Sequence, residues 1–179
     1  MRVYLDNAAT TAMDERVIEA MLPFMKEFYG NPSSVHSHGR EVRSAIEKSR
    51  KKVAELLNAS PSEIFFTSGG TEADNTAIIG SIQTLGIKHV ISSPIEHHAV
   101  LHTLEVLAKK NLIQLSLVEV NDKGEINFNH LEELLRNQPK SLVSLMHANN
   151  EIGNLNDLNR IGEISRAYDS LFHSDTVQT

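Results

Sequence analysis

Apolar positions along this chain fall into two alternating rhythms. Between residues 14 and 28, Val17, Ile18, Met21, Leu22, Met25 and Phe28 return at three- and four-residue spacing, the period of one face of an α-helix. Asp14 stands where an N-cap belongs, Pro23 predicts an interruption and Gly30 a stop. Beyond the loop GNPSSVHSHG, the residues Val42, Ala45, Ile46, Val53, Leu56 and Leu57 repeat that spacing and predict a second amphipathic helix. From residue 61 onward the pattern changes. Short apolar runs at 64–67, 88–92, 113–120, 141–146 and 171–174 predict buried strands, and helical patterns over 72–85, 98–110, 129–136 and 158–168 separate them. In the first of these helices Ala73, Ala77, Ile78 and Ile82 are expected to face inward. The chain divides into a mainly helical segment, 1–60, and an alternating region, 61–179.

Strand–helix alternation predicts right-handed crossovers and an α/β fold, with a largely parallel sheet covered by helices on both faces. In such sheets ligands bind beyond the carboxyl ends of the strands. The residues at those ends are Ser68-Gly69-Gly70-Thr71, Ser93 to His98, His147 to Glu151, and Asp175 to Gln178. In "FTSGGTEADN" the two glycines permit a tight turn whose N–H groups, at the start of a helix, suit an anion such as phosphate, with the Thr71 hydroxyl as a further donor. The same residues also read as a plain turn with a capping box. The motif lacks the lysine of a Walker loop and is not G-x-G-x-x-G. A phosphate-bearing aromatic cofactor also needs a flat group to stack on its ring, a carboxylate for a ring nitrogen, and amide donors for an exocyclic oxygen. His97, Asp175, Asn150 and Gln178 are of those types at those strand ends. Singly, each has a plainer explanation: a histidine satisfied at a helix start, a turn-capping aspartate, an Asx turn at Asn149 and Asn150.

Composition removes several alternatives. With 179 residues, 40% apolar and 22% charged, the chain has ordinary globular usage. No stretch approaches the roughly 20 apolar residues of a membrane span, no signal h-region opens the chain, and a cytoplasmic location is expected. A net charge of −6 argues against nucleic acid, and the basic run REVRSAIEKSRKK reads as the wet face of the second helix. There is no cysteine, which excludes disulfides, thiolate zinc sites and iron–sulfur ligation within these residues. His98 and His102 share a helical face and His36 and His38 lie in a loop, yet no third ligand is signposted, so a metal is not expected. No serine occupies a G-x-S-x-G elbow, which removes a Ser-His-Asp hydrolase. The sequon Asn58-Ala59-Ser60 reads as a helix end and turn.

Six segments carry a family resemblance: YLDNAATT at 4–11, GNPSSVHSHGR at 30–40, FTSGGTEADN at 66–75, EHHAV at 96–100, HANNEIG at 147–153 and FHSDTVQT at 172–179. In order and spacing they resemble the successive motifs of the cysteine desulfurases, within the class V aminotransferase group of fold type I pyridoxal phosphate enzymes. The resemblance covers about the first half of that family's chain, so it implies an incomplete fold type I large domain spanning 1–179. It implies that Gly70 and Thr71 bind the phosphate of pyridoxal 5′-phosphate, that His97 stacks on its ring and takes part in proton movement, and that Asp175 pairs with the pyridinium nitrogen. Gln178 and Asn150 would act near the phenolate oxygen and the substrate. The implied reaction takes sulfur from L-cysteine, leaving alanine and a persulfide on an enzyme cysteine, for delivery to an iron–sulfur scaffold or another acceptor, within a homodimer.

Several family elements are absent from these residues: the Schiff-base lysine in its Ser-x-His-Lys stretch, the serine-type phosphate ligand beside it, the nucleophilic cysteine, the small domain and the substrate-carboxylate arginine. Two functions are therefore expected to compete, the amino-terminal part of a desulfurase inactive by itself and a non-catalytic interaction module. A selenocysteine lyase or another class V enzyme is the enzymatic alternative. A sheet ending at its ligand edge is also expected to leave the 179-residue chain marginally stable or prone to aggregate.

Overall fold

The computed structural model describes residues 1–136 and 138–179. It separates into two compact units, Met1–Phe66 and Thr67–Thr179.

In the first unit, helix α1 (Glu15–Lys26) begins at Asp14, whose carboxylate accepts from the Arg16 N–H at 2.9 Å. The interruption expected at Pro23 does not occur. Helix α1 runs three residues past Pro23, close to its end, and the Pro23 carbonyl accepts from the N–H groups of Glu27 and Phe28. Helix α2 (Ser37–Leu56) carries the basic run. It ends with Asn58 in the left-handed region (φ 50°) and the Ala59 N–H bonded to the Ala54 carbonyl, which satisfies a carbonyl the helix leaves open. A single 3-10 turn, Pro61–Glu63, follows, closed by a capping box between Ser60 and Glu63.

The strand expected at 64–67 is absent. The segment is extended at Ile64, but no other strand lies beside it among the described residues, so it has no ladder to join. Arg50 takes up the slack within this unit, donating to the Ile64 carbonyl and lying over the Phe66 ring at 4.9 Å.

The second unit is an α/β layer structure. Its strands are β1 (His89–Ser92), β2 (Gln114–Leu117), β3 (Leu142–Ser144) and β4 (Leu171–His173), parallel throughout, in the order β2-β1-β3-β4. Helices α3 (Gly70–Leu85), α4 (His98–Lys109), α5 (Phe128–Leu135) and α6 (Leu158–Ala167) alternate with them. Strand periodicity sends neighbouring residues to opposite faces. Val90 and Leu142 accordingly pack with Ile78 and Ile82 of α3 and Val100 and Leu104 of α4. Ile91 and Val143 pack with Leu131 and Leu135 of α5 and Ile161 and Ile164 of α6. Both faces are covered, and for this reason β1 and β3 are buried at every position, their polar residues His89, Ser92 and Ser144 included.

The inward stripe expected on α3 holds at Ile78 and Ile82 and fails at its two alanines. Asp74, Ile78 and Ile82 are buried, one per turn, whereas Ala73 and Ala77 are exposed. A purely apolar reading rotates the helix toward its alanines; the structure buries a carboxylate instead.

Candidate coenzyme site at the sheet edge

Strand order places a switch point between β1 and β3. From β1 the chain crosses by α4 to β2 on one side, and from β3 by α6 to β4 on the other, so the loops leaving β1 and β3 diverge and open a crevice at their carboxyl ends. Two cross-ties hold these loops in register. Glu96 Oε1 accepts from the Ser93 hydroxyl at 2.8 Å and from the Met146 N–H at 3.0 Å. Asn149 Nδ2 donates to the Ile95 carbonyl at 2.7 Å, while its Oδ1 accepts from the N–H groups of Glu151 and Ile152. Asn149 therefore makes the Asx turn, and Asn150, half-buried beside it, donates from Nδ2 to Glu151 Oε1 at 3.3 Å. His97, between these ties and α4, caps the helix by accepting from the Ala99 N–H at 3.2 Å, and its ring is exposed.

Glu96 is 7% exposed, and its Oε2 is buried without a partner among the described residues. Burial pushes its carboxyl up to about 7, against the two hydrogen bonds, which favour ionisation; the Asp175 charge adds to the rise and His173 opposes it.

Beyond β4 the pairing with the β3 side continues. The Leu145 N–H bonds the His173 carbonyl and the His147 N–H bonds the Asp175 carbonyl at 2.9 Å. This carries Asp175 into the crevice, where its carboxylate is 7% exposed and Oδ1 accepts from the Val177 N–H at 2.9 Å. Val177 in turn lies against the start of α3: a Cβ at Gly70 would stand 2.6 Å from Val177 Cγ2. Gly70 is thus required for close approach and not for an unusual backbone angle. Gly69 is extended (φ 169°) with open space around it. The Ser68 N–H and hydroxyl both go to Glu72 Oε2 at 2.6 Å, which holds the Glu72 carboxyl below its usual range. That leaves the first-turn N–H groups of α3, which have no intrahelical acceptor, together with the exposed Thr71 side chain. Gln178 is exposed in the same terminal turn.

The candidate residues therefore come to one edge by three routes: Gly70 and Thr71 on α3, His97 and Asn150 on the loops after β1 and β3, and Asp175 and Gln178 after β4. Sequence reasoning missed Glu96 and the set Asp74, His173 and Ser144. His173 Nε2 lies 3.5 Å from Asp74 Oδ1, and His173 Nδ1 lies 2.9 Å from the Ser144 hydroxyl. A signal existed for Asp74, because it occupies the turn before Ile78 and Ile82. Among the described residues no three His, Cys, Asp or Glu side chains converge as a metal site. An open trough of about 850 Å³ in the first unit, lined by Val17, Met21, Phe24 and neighbours, holds none of the candidate residues. No helix of the described residues is long and apolar enough to cross a membrane.

A parallel sheet covered by helices on both faces, with a helix start and a buried carboxylate at one switch-point edge, defines an open α/β domain. Residues 3–179 match the aminotransferase class-V family, and the chain belongs to that family. It is 47% identical to the cysteine desulfurase IscS of Dictyoglomus turgidum over 99% of this chain and 45% of that protein. It is 44% identical to the putative cysteine desulfurase IscS 1 of Bacillus subtilis, over 99% and 47%. Among solved structures, a NifS-like protein superposes with a TM-score of 0.94 at 42% identity, over the whole chain and half of that protein. A structure described as SspA in complex with cysteine superposes at 0.90 with 33% identity, covering 98% and 51%. The chain spans about half the length of the relatives it matches, and it contains no cysteine.

Proposed function

We propose that Thr67–Thr179 forms one wall of a pyridoxal 5′-phosphate site in a protein that takes sulfur from L-cysteine. The observation carrying this reading is the meeting of the α3 start with the Asp175 segment, through Val177 against Gly70, which brings anion donors and a buried carboxylate to one crevice. That donor set fits the group: N–H and hydroxyl donors suit a dianionic phosphate, and a desolvated carboxylate suits a protonated ring nitrogen. When bound, the coenzyme supplies an electron sink for the carbon it activates.

The chain's own residues then have separate tasks. Gly70 and Thr71 hold the phosphate end. Asp175, kept rigid by Val177 and by its backbone bond to His147, keeps a proton on the ring nitrogen. His97 offers its exposed ring as a stacking surface and, through Nε2, a place for a proton. Asn150 and Gln178 supply amides toward the ring oxygen and the substrate. L-cysteine as substrate is supported by the family and by the cysteine named with the SspA structure. A sulfur acceptor such as an iron–sulfur scaffold, a second subunit and a cytoplasmic setting follow from the same reading. The persulfide-bearing thiol and the coenzyme-bearing lysine are not supplied by these 179 residues in a family motif.

Titration of the chain with pyridoxal 5′-phosphate, followed by borohydride reduction and peptide mapping, tests this. Saturable binding is expected, weakened about tenfold or more by Asp175→Asn, since a charge-assisted bond contributes roughly 1.5–3 kcal/mol. Reduction should spread label over several lysines. Absence of saturable binding, or binding indifferent to Asp175→Asn and Thr71→Ala, overturns the proposal.

A further inference from the structure

Behind the proposed site lies a buried polar set that none of the roles above uses. Asp74 is 5% exposed on α3, Ser144 on β3 is fully buried, and His173 on β4 lies between them. Parallel register sets Ser144 beside His173, so both point to the same face. That is the face of Leu142, two residues before Ser144, which packs with Ile78 and Ile82 of α3. Helix α3 therefore delivers Asp74 directly onto the imidazole. A carboxylate this buried is costly without a partner, and His173 Nε2, 3.5 Å from Asp74 Oδ1, supplies one. With Nε2 directed at Asp74, Nδ1 meets the Ser144 hydroxyl, and one ring ties a helix to two strands.

The contact order Asp, imidazole, Ser is also that of a hydrolytic triad. Ser144 is sealed from solvent at 0% exposure, so no acyl group reaches it. Placement suggests a different use. Asp74 sits one helical turn, about 6 Å, behind Gly70. His173 sits two strand residues, about 6.6 Å, behind Asp175. The ring thus spans the two elements that carry the opposite ends of the proposed coenzyme site.

We infer that Asp74, His173 and Ser144 act as a positioning crossbar that sets the separation between the anion-binding start of α3 and the Asp175 carboxylate; this rests on the coenzyme reading above. None of the three touches the ligand. Their effect is on whether one ligand can reach both ends at once.

A two-ended probe and two one-ended probes separate this role from simple stability. Pyridoxine 5′-phosphate, which has no aldehyde to react with lysines, engages both ends; inorganic phosphate engages only the α3 end and pyridoxine only the Asp175 end. Each is titrated into the 179-residue chain and its Asp74→Asn, His173→Gln and Ser144→Ala variants by amide NMR, with fold verified by circular dichroism. The crossbar is expected to weaken pyridoxine 5′-phosphate about tenfold or more in the His173→Gln and Asp74→Asn variants while changing either one-ended probe less than about twofold. Ser144→Ala, which removes only a hydroxyl, should show the same selectivity to a smaller degree if either of the others fails to fold. Parallel weakening of all three probes, or no change in any, overturns the crossbar and leaves the coenzyme reading standing. Failure of the unsubstituted chain to bind pyridoxine 5′-phosphate overturns the coenzyme reading and the crossbar with it.

Discussion

Replacing Glu96 by glutamine tests the electrostatics of the switch-point crevice. In the folded chain burial lifts this carboxyl from 4.5 to about 7, while in the unfolded chain it ionises near its ordinary value. Between those two values the folded state holds a proton that the unfolded state has released. Stability must then fall as pH rises from about 4.5 to about 7 and level off above, the reverse of an ion-paired carboxylate. At about 1.4 kcal/mol per pKa unit, the full effect is roughly 3 kcal/mol.

Glutamine has no ionisation to lose. Its Oε1 can accept from Ser93 and Met146 as before, but its amide N–H₂ lands where Oε2 has no partner, at a cost of about 1–3 kcal/mol. Glu96→Gln is therefore expected to be less stable than the parent near pH 5 and equal or more stable near pH 8, the difference shifting by about 3 kcal/mol across the range. Urea unfolding followed by circular dichroism at pH 5, 6, 7 and 8 measures it, and the comparison cancels every other titrating group that the two proteins share. A stability difference that stays constant from pH 5 to 8 would refute the reasoning, because it would mean Glu96 ionises in the folded state as it does in the unfolded chain.

Two further outcomes are expected. His89 on β1 bridges Ser141 and Ser116 at 2.8 and 2.9 Å, and its burial lowers its proton affinity, so the native state refuses a proton that the unfolded chain accepts below about 6.5. Stability should decline as pH falls through that value, and His89→Gln should flatten the slope of thermal midpoint against pH; an unchanged slope contradicts the buried neutral ring. Gly70→Ala drives a methyl into Val177 and should cost about 1 kcal/mol, with weaker phosphate binding; adding Val177→Ala should restore both in thermal melts and titrations, and failure to restore them locates the clash elsewhere.

Much of the fold was written locally. Helical periodicity, the caps at Asp14 and His97, and the apolar runs of β1 and β3 depend on neighbours within a few residues, and each of those helices and strands appears where the pattern places it, within a residue or two for all but the longest predicted runs. The strand ends that carry the candidate residues were legible for the same reason, since the residues after each strand are known once the strand is. Segment 64–67 shows the limit: its composition is that of a strand, but a strand exists only if another lies beside it. Pro23 shows the converse, a local breaker carried inside α1 within its last turn.

By itself, then, the amino-acid order determined the alternation of elements, the edge that carries the candidate residues and the family to which the chain belongs. The tertiary structure alone decided which side chain meets the buried Asp74, the lifted proton affinity of Glu96 and the ring contacts of His173 and His89. Those properties arise from groups 50 or more residues apart, as in Glu96 with Met146 or His89 with Ser141, or from faces that meet only when α3 docks on β3 and β4. Desolvation and charge pairing act through space, and no periodicity along the chain encodes which distant side chain will be the neighbour.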